Sequence, residues 1–288
     1  MSKKTISLIL VAVLVAALTN HSAMAKNATS IQVKGSDTMV NLVQAWAEAY
    51  MKNNAGSFIA VTGGGSGTGF AAMIGGTCDI AAASRSIKPK EIELASKKGI
   101  DPKEFKVALD GLAVVVNPKN PVSRLTLDQL AGIFTGKVKN WKEVGGDDAK
   151  IVILSREVNS GTHVYFKEHV LRKGDEKSKE EFSPDALLLP SSQAIADEVA
   201  QNPSAIGYYG MGYIGSGQKA LLVAKEGNSG YVAPKTEDVT SGLYPISRPL
   251  FMYIKGDPQG DVKKFMDFIF SDEGQSVVSK MDFVPLKK

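Results

Sequence analysis

Apolar residues along this chain recur at two spacings, and the two alternate. Residues 31–34, 58–62 and 80–83 are short β-prone runs. Between them, residues 39–52 place Val40, Val43, Ala47 and Tyr50 on one side of a helix, and residues 70–74 suit a shorter one. Residues 88–98 form a charged, surface-type helix. Strand–helix alternation of this kind predicts a parallel sheet covered by helices. Further on, residues 112–117 (LAVVVN) are an almost wholly apolar strand stopped by Pro118 and Pro121. Residues 125–134 predict a helix capped by Thr126, residues 151–154 and 206–209 buried strands, and residues 163–172 and 191–201 helices. A charged, solvated stretch covers 174–183. A second long apolar strand spans 249–254, followed by a helix at 262–271 and another reaching Met281.

Two βα groups joined by long apolar strands predict an α/β chain of two lobes with a hinge. The crossings fall near Gly111 and Tyr244. They divide the chain into a first lobe of residues 26–110 and 245–288 and a second of 111–244. Residues 1–25 stand apart. Lys3 and Lys4 precede an uncharged apolar run, and Ala23-Met24-Ala25 closes it as an A-x-A cleavage site, the pattern of a secretory signal peptide cut before Lys26. The run is short for a membrane span, which takes roughly 20 residues. A lipid anchor would need a cysteine at the cut, and the single cysteine is Cys78. The expectation is a soluble, periplasmic protein.

Losing Lys3 and Lys4 with the leader lowers the formal net charge from +4 to +2, which gives no case for nucleic acid or an anionic membrane. One cysteine excludes an internal disulfide, and Cys78, beside an apolar strand, reads as a small buried hydrophobe. Trp46 and Trp141 read as packing residues, and Tyr208, Tyr209 and Tyr213 as core.

Three segments repeat one design, a strand, a small polar turn and a helix: Gly35-Ser36-Asp37-Thr38, then Gly63 to Gly69 (GGGSGTG), then Ser160-Gly161-Thr162. Free backbone N–H groups and the positive end of the helix dipole make such turns anion sites. Any one of them is accounted for by ordinary capping. Three in one chain, each past a strand end, point to a ligand site. Arg156, four residues before the third turn, and Arg85, inside Ser84-Arg85-Ser86, add forked donors for an oxyanion.

With V-K-G-S-D-T-M, G-G-G-S-G-T-G, D-I-A-A-A-S-R and R-E-V-N-S-G-T in this order, the chain resembles the phosphate-binding proteins of phosphate ABC transporters. L-T-L-D-Q-L-A-G-I-F-T-G-K-V-K-N-W, A-I-G-Y-Y-G and Y-P-I-S-R-P-L extend the resemblance over nearly all of the mature chain. It implies a two-lobed periplasmic-binding-protein fold of the second type, each lobe a mostly parallel sheet, closing on inorganic phosphate at the hinge. It implies a permease of an ABC importer as partner, a monomer, and no cofactor or metal. Carried over by position, Thr38, Ser66 and Gly67 serve from the first lobe, and Arg156, Ser160, Gly161 and Thr162 from the second. The best-known members place a carboxylate after the third strand and a threonine in the first turn. Here the third strand ends in Ser84-Arg85 and the carboxylate is Asp37, beside Ser36. An exchanged arrangement follows as a hypothesis, with Asp37 accepting the ligand proton and Arg85 as a second cationic donor. Asp37 serving only as a helix cap is the alternative.

Enzyme chemistry finds little support. The glycine loop lacks the Lys-Ser/Thr ending of a P-loop, Ser66 does not complete G-x-S-x-G, and His163, His169 and Cys78 make no zinc set. A phosphate-ester hydrolase is therefore disfavoured. Sulfate, molybdate or a sensory role stay open as alternatives.

Overall fold

The computed structural model describes residues 29–227 and 229–286, so the leader and the cut before Lys26 lie outside the described residues. The chain opens with β1 (Thr29–Gly35), α1 (Val40–Asn53), β2 (Ser57–Thr62), α2 (Ser66–Gly75), β3 (Ile80–Ala83) and α3 (Pro89–Ser96). Strand β1 lies between β2 and β3 and is parallel to both, as strand–helix alternation demands. Helix α2 starts four residues before the apolar run that announces it. Gly64 and Gly65, at φ 116° and 96°, take backbone angles that side chains avoid, so the loop turns straight into the helix.

Next come β4 (Pro102–Val116), β5 (Arg124–Thr126), α4 (Leu127–Phe134), β6 (Val152–Arg156), α5 (Gly161–Phe166) and a π-helical turn, Lys167–Leu171. Then follow β7 (Leu187–Leu189), α6 (Ser192–Gln201), β8 (Ala205–Gly210), β9 (Lys219–Ala220), β10 (Leu222–Ala224) and α7 (Thr236–Thr240). The chain closes with β11 (Ser247–Lys255), α8 (Gly260–Phe270) and α9 (Asp272–Lys280).

Among the described residues, nine strands form one sheet in the order β2-β1-β3-β11-β4-β8-β6-β7, with β9 also on β4. Strands β10 and β5 pair separately. The outer strands on each side are parallel, while β4 and β11 in the middle run antiparallel to each other and to their neighbours. Strand β4 belongs to both halves. Residues 102–111 pair with β11, and Leu112–Val116 pair with β8.

Each half has its own core. Trp46, Ile80, Leu250 and Phe265 pack together in one, and Phe134, Trp141, Phe166 and Tyr208 in the other. Full burial of such side chains stabilises by about 1.5–3 kcal/mol each. The tryptophans pack as read: Trp46 Nε1 donates to Gly274 O at 2.7 Å and Trp141 Nε1 to Ser204 O at 3.0 Å. Cys78 is buried, and desolvation pushes its thiol up to about 11, so it is a packing residue.

Candidate functional site

The site is assembled from the turns that follow the strands. In the first half, three turns are stitched together by backbone. Ser36 N donates to Ala82 O and Gly65 N to Gly35 O, both at 2.8 Å, and Ser84 N donates to Ser66 Oγ at 3.0 Å. The turns after β1, β2 and β3 therefore hold one fixed arrangement, with Ser36, Thr38, Ser66 and Ser84 all buried. Ser36 Oγ is buried with no hydrogen-bond partner among the described residues.

In the second half, Ser160 caps α5, its Oγ accepting from Thr162 N at 3.2 Å and His163 N at 3.4 Å. Arg156, at the end of β6, is buried and rigidly held. Its Nη2 donates to Pro190 O at 2.8 Å and its Nε to Leu189 O at 3.3 Å.

The halves meet at these turns. Thr38 Oγ1 and Thr162 Oγ1 are 2.7 Å apart, and Arg156 Nη1 donates to Asp37 Oδ2 at 2.8 Å. Asp37 Oδ2 also accepts from Ser192 N at 2.8 Å and Ser192 Oγ at 2.9 Å. Tyr213, expected in the core, is half-buried and donates its hydroxyl to Asp37 O at 2.9 Å. Gly67 N donates to Asn159 O at 3.0 Å, and Asn159 Nδ2 returns a bond to Gly64 O at 2.8 Å. Gly161 lies against Ser66 and Ser84 so closely that any Cβ there would collide with both hydroxyls.

Ten of the eleven sequence-predicted site residues thus gather at one interface: Ser36, Asp37, Thr38, Ser66, Gly67, Ser84, Arg156, Ser160, Gly161 and Thr162. Arg85 stands at its edge and is committed elsewhere. Its Nη1 and Nη2 donate to the two Glu91 carboxylate oxygens at 2.8 and 2.7 Å, and its guanidinium lies over Phe70. Glu91 at the start of α3 captures it, which an S-R-S string does not announce.

Three participants escaped the sequence reading. Arg248 on β11 donates through Nη2 to Thr162 Oγ1 at 2.9 Å and to Thr38 Oγ1 at 3.4 Å. It is paired with Asp110 on β4, directly opposite in register. Arg248 lies inside the Y-P-I-S-R-P-L string, and Asp110 is a lone acid amid apolar residues; both were available signals. Ser192 follows its helix cap and gave no signal beyond its type.

Burial pushes the Asp110 carboxyl up and the Arg248 guanidinium down, while their mutual attraction opposes both. With the guanidinium and Met211 N all donating to it, Asp110 is an ionised acceptor facing a charged arginine. His163 is buried beside Ser155 Oγ, at 3.2 Å from its Nδ1, and desolvation lowers its pKa to about 4. It is neutral at physiological pH.

The arrangement gathers hydroxyls and helix starts from two sides with the Arg156 guanidinium beside them, a setting that suits a small oxyanion. A model of the PBP superfamily domain matches residues 20–273. The phosphate-binding protein PstS of Pseudomonas aeruginosa is 33% identical over 282 residues, spanning 92% of this chain and 84% of that protein. The PstS of Bacillus subtilis is 34% identical, spanning 91% and 82%. This chain belongs to the PstS family. A phosphate-bound, putative phosphate ABC transporter substrate-binding protein from Clostridium perfringens superposes with a TM-score of 0.80. It is 34% identical, over 90% of this chain and all of that one. Membership fixes the architecture as the type II periplasmic-binding-protein fold. Metal clusters of three or more His, Cys, Asp or Glu are absent among the described residues, and no described helix is long and apolar enough to cross a membrane.

Proposed function

We propose that this chain is an exported receptor that captures hydrogen phosphate between two lobes and delivers it to the permease of an ABC importer. The observation that carries this reading is the convergence of Thr38, Ser66, Ser160, Thr162 and Arg156 from both halves on one buried point, in a chain of the PstS family. Burying a dianion is costly unless it is thoroughly bonded, so a phosphate site needs donors on every side. Donors divided between two lobes reach one anion together only when the lobes close, which makes binding and closure one event. The lobes are residues 26–110 with 245–288, and 111–244. Support for a hinge at these crossings comes from β4, whose partner changes from β11 to β8 between Gly111 and Leu112, and from Tyr244, whose hydroxyl donates to Leu112 O at 2.7 Å.

Asp37 is the acceptor of the ligand proton in this reading. Three donors engage its Oδ2, and Oδ1 is the oxygen that meets a protonated phosphate oxygen. Sulfate, without that proton, faces Asp37 with a lone pair. Arg85 contributes as a charge at the rim, since Glu91 holds its fork. The protein acts as a periplasmic monomer, its leader removed before Lys26, and performs no catalysis.

Calorimetric titration of the mature protein, stripped of bound ligand by unfolding and refolding, tests the reading. Tight one-to-one binding of phosphate with weak binding of sulfate is expected. Absence of phosphate binding would overturn it.

A further inference from the structure

A serine or threonine hydroxyl both donates and accepts, so hydroxyls alone do not make an anion site. What matters is which side of each oxygen the protein has already occupied. Ser66 Oγ accepts from Ser84 N at 3.0 Å. Ser160 Oγ accepts from Thr162 N at 3.2 Å and His163 N at 3.4 Å. Both serines have spent acceptor capacity on backbone N–H groups; Ser160 keeps a proton to give, and Ser66 Oγ lies 3.4 Å from Ser84 Oγ, a pair in which either hydroxyl can donate. Among the described residues, the only N–H groups donating to Thr38 Oγ1 and Thr162 Oγ1 belong to Arg248, through Nη2 at 3.4 and 2.9 Å.

We propose that Arg248 is a positioning residue that fixes the direction of hydrogen bonding in the cleft, holding the threonine pair so that one of its hydroxyls donates toward the anion. The inference rests on the reading of the cleft as a phosphate site. With Arg248 Nη2 on the acceptor side and one threonine hydroxyl donating to the other, the remaining threonine proton is directed to the ligand.

The guanidinium is held for this task. Its Nε and Nη2 grip Asp110 Oδ2 at 3.0 and 2.9 Å, and its Nη1 donates to Ser84 O at 3.0 Å. Tyr165 lies under it, ring centre 5.6 Å from Cζ. Asp110 is in turn anchored by Met211 N at 3.1 Å. Gly210 leaves room for this group: a Cβ there would stand 2.8 Å from Thr38 Cγ2 and 2.9 Å from Asp110 Oδ1. Ser84 and Thr38 come from one half, Thr162 and Tyr165 from the other, and Arg248 sits on the strand at their junction. One side chain therefore aligns the donors of both halves.

The test is calorimetric titration of inorganic phosphate into the mature wild type, Thr162→Val, the neutral double variant Asp110→Asn/Arg248→Gln, and the triple variant. The double variant removes the fork without leaving Asp110 charged and alone. Its affinity is expected to fall roughly tenfold to a hundredfold, the effect of losing one aligned donor to a charged ligand. Thr162→Val should lose a similar factor, and the triple variant should be no more than about twofold weaker than the worse of the two, because both changes remove the same bond. Arg248→Lys, which keeps the charge and loses the fork, should weaken binding about tenfold. It also serves if the double variant does not fold. Affinities within about twofold of wild type for the double variant or for Arg248→Lys, or losses that multiply in full, would overturn the proposal. A wild type that binds phosphate beside unchanged variants sinks this inference alone. A wild type that binds none sinks the phosphate reading and this inference with it.

Discussion

Two arginine–aspartate pairs lie a short way apart in this molecule and do different work. Arg248 and Asp110 face each other across neighbouring strands, with side chains 1% and 0% exposed. Arg156 and Asp37 come from opposite halves, and Asp37 keeps 16% of its side-chain surface in contact with solvent. The first pair is closed on itself, its remaining bonds going to Ser84 O, Met211 N and the threonine hydroxyls. The second joins the two halves through their turns, and its carboxylate is the more exposed of the two acids. A buried ion pair contributes little net stability, because desolvation offsets the attraction, yet breaking one by removing a partner is costly. The first pair therefore behaves as architecture, and the second, on the function proposed above, as a contact the ligand competes for.

The comparison breaks first on stability. Arg248→Gln alone should destabilise the protein by about 3–5 kcal/mol in denaturant titration, since Asp110 is left buried without its counter-charge and with Met211 N as its remaining donor. Adding Asp110→Asn should recover most of that loss. If the single variant is as stable as wild type, the pair is not the closed unit described here. Arg156→Met should act on binding instead. Truncating a cation that meets a buried anion weakens affinity by about 2–5 kcal/mol, roughly thirtyfold to several thousandfold. Its cost in stability should be smaller, about 1–3 kcal/mol, from the Leu189 and Pro190 carbonyls that lose a donor. Phosphate titration beside thermal melting of the same variant checks both halves of the statement.

Asp37 sharpens the contrast. Asp37→Asn keeps the size and offers an amide where a carboxylate stood. On the proton-acceptor reading, the phosphate-over-sulfate ratio should fall by about tenfold to a hundredfold, corresponding to roughly 1–3 kcal/mol for one mismatched buried polar group. Competition titration with both anions measures the ratio. An unchanged ratio assigns Asp37 to the interlobe contact with Arg156 and Ser192 alone.

The same contrast accounts for what was legible in the sequence. Turns declare themselves locally. Gly35-Ser36-Asp37-Thr38, GGGSGTG and Ser160-Gly161-Thr162 carry their small residues and hydroxyls in contiguous strings, and each forms a turn at the interface. The strand–helix order of the first half was equally readable, because β1, β2 and β3 are short β-prone runs closed by glycine or serine. The antiparallel middle was not. Residues 104–107 of β4 alternate Glu104 and Lys106 with Phe105 and Val107, a period of two too short to stand out beside the neighbouring all-apolar run. Strands β7, β9 and β10 are only three, two and three residues long, too short to display any period. Partnerships between distant side chains were hardest. Arg85 and Arg248 look alike as isolated arginines, and only the fold gives one to Glu91 and the other to Asp110 and the threonines.

His163 separates the two pairs by pH. It follows Thr162, packs 4.4 Å from the Phe182 ring, and has its folded-state pKa depressed to about 4 by burial. The unfolded chain, with histidine near its ordinary value of about 6.5, binds a proton that the folded protein refuses. Stability is thus fully present above about pH 6.5 and declines as pH falls toward 4, by about 1 kcal/mol between pH 6.5 and 5.5. His163→Phe should flatten that slope, measured by denaturant titration across the interval. A histidine that stays neutral in the fold adds no charge to the cleft over this range. Any change of phosphate affinity over this range should persist in the His163→Phe variant. If the variant loses the pH dependence of binding and keeps that of stability, His163 acts on the anion, and the division between an architectural pair and a ligand-facing one must be redrawn to include it.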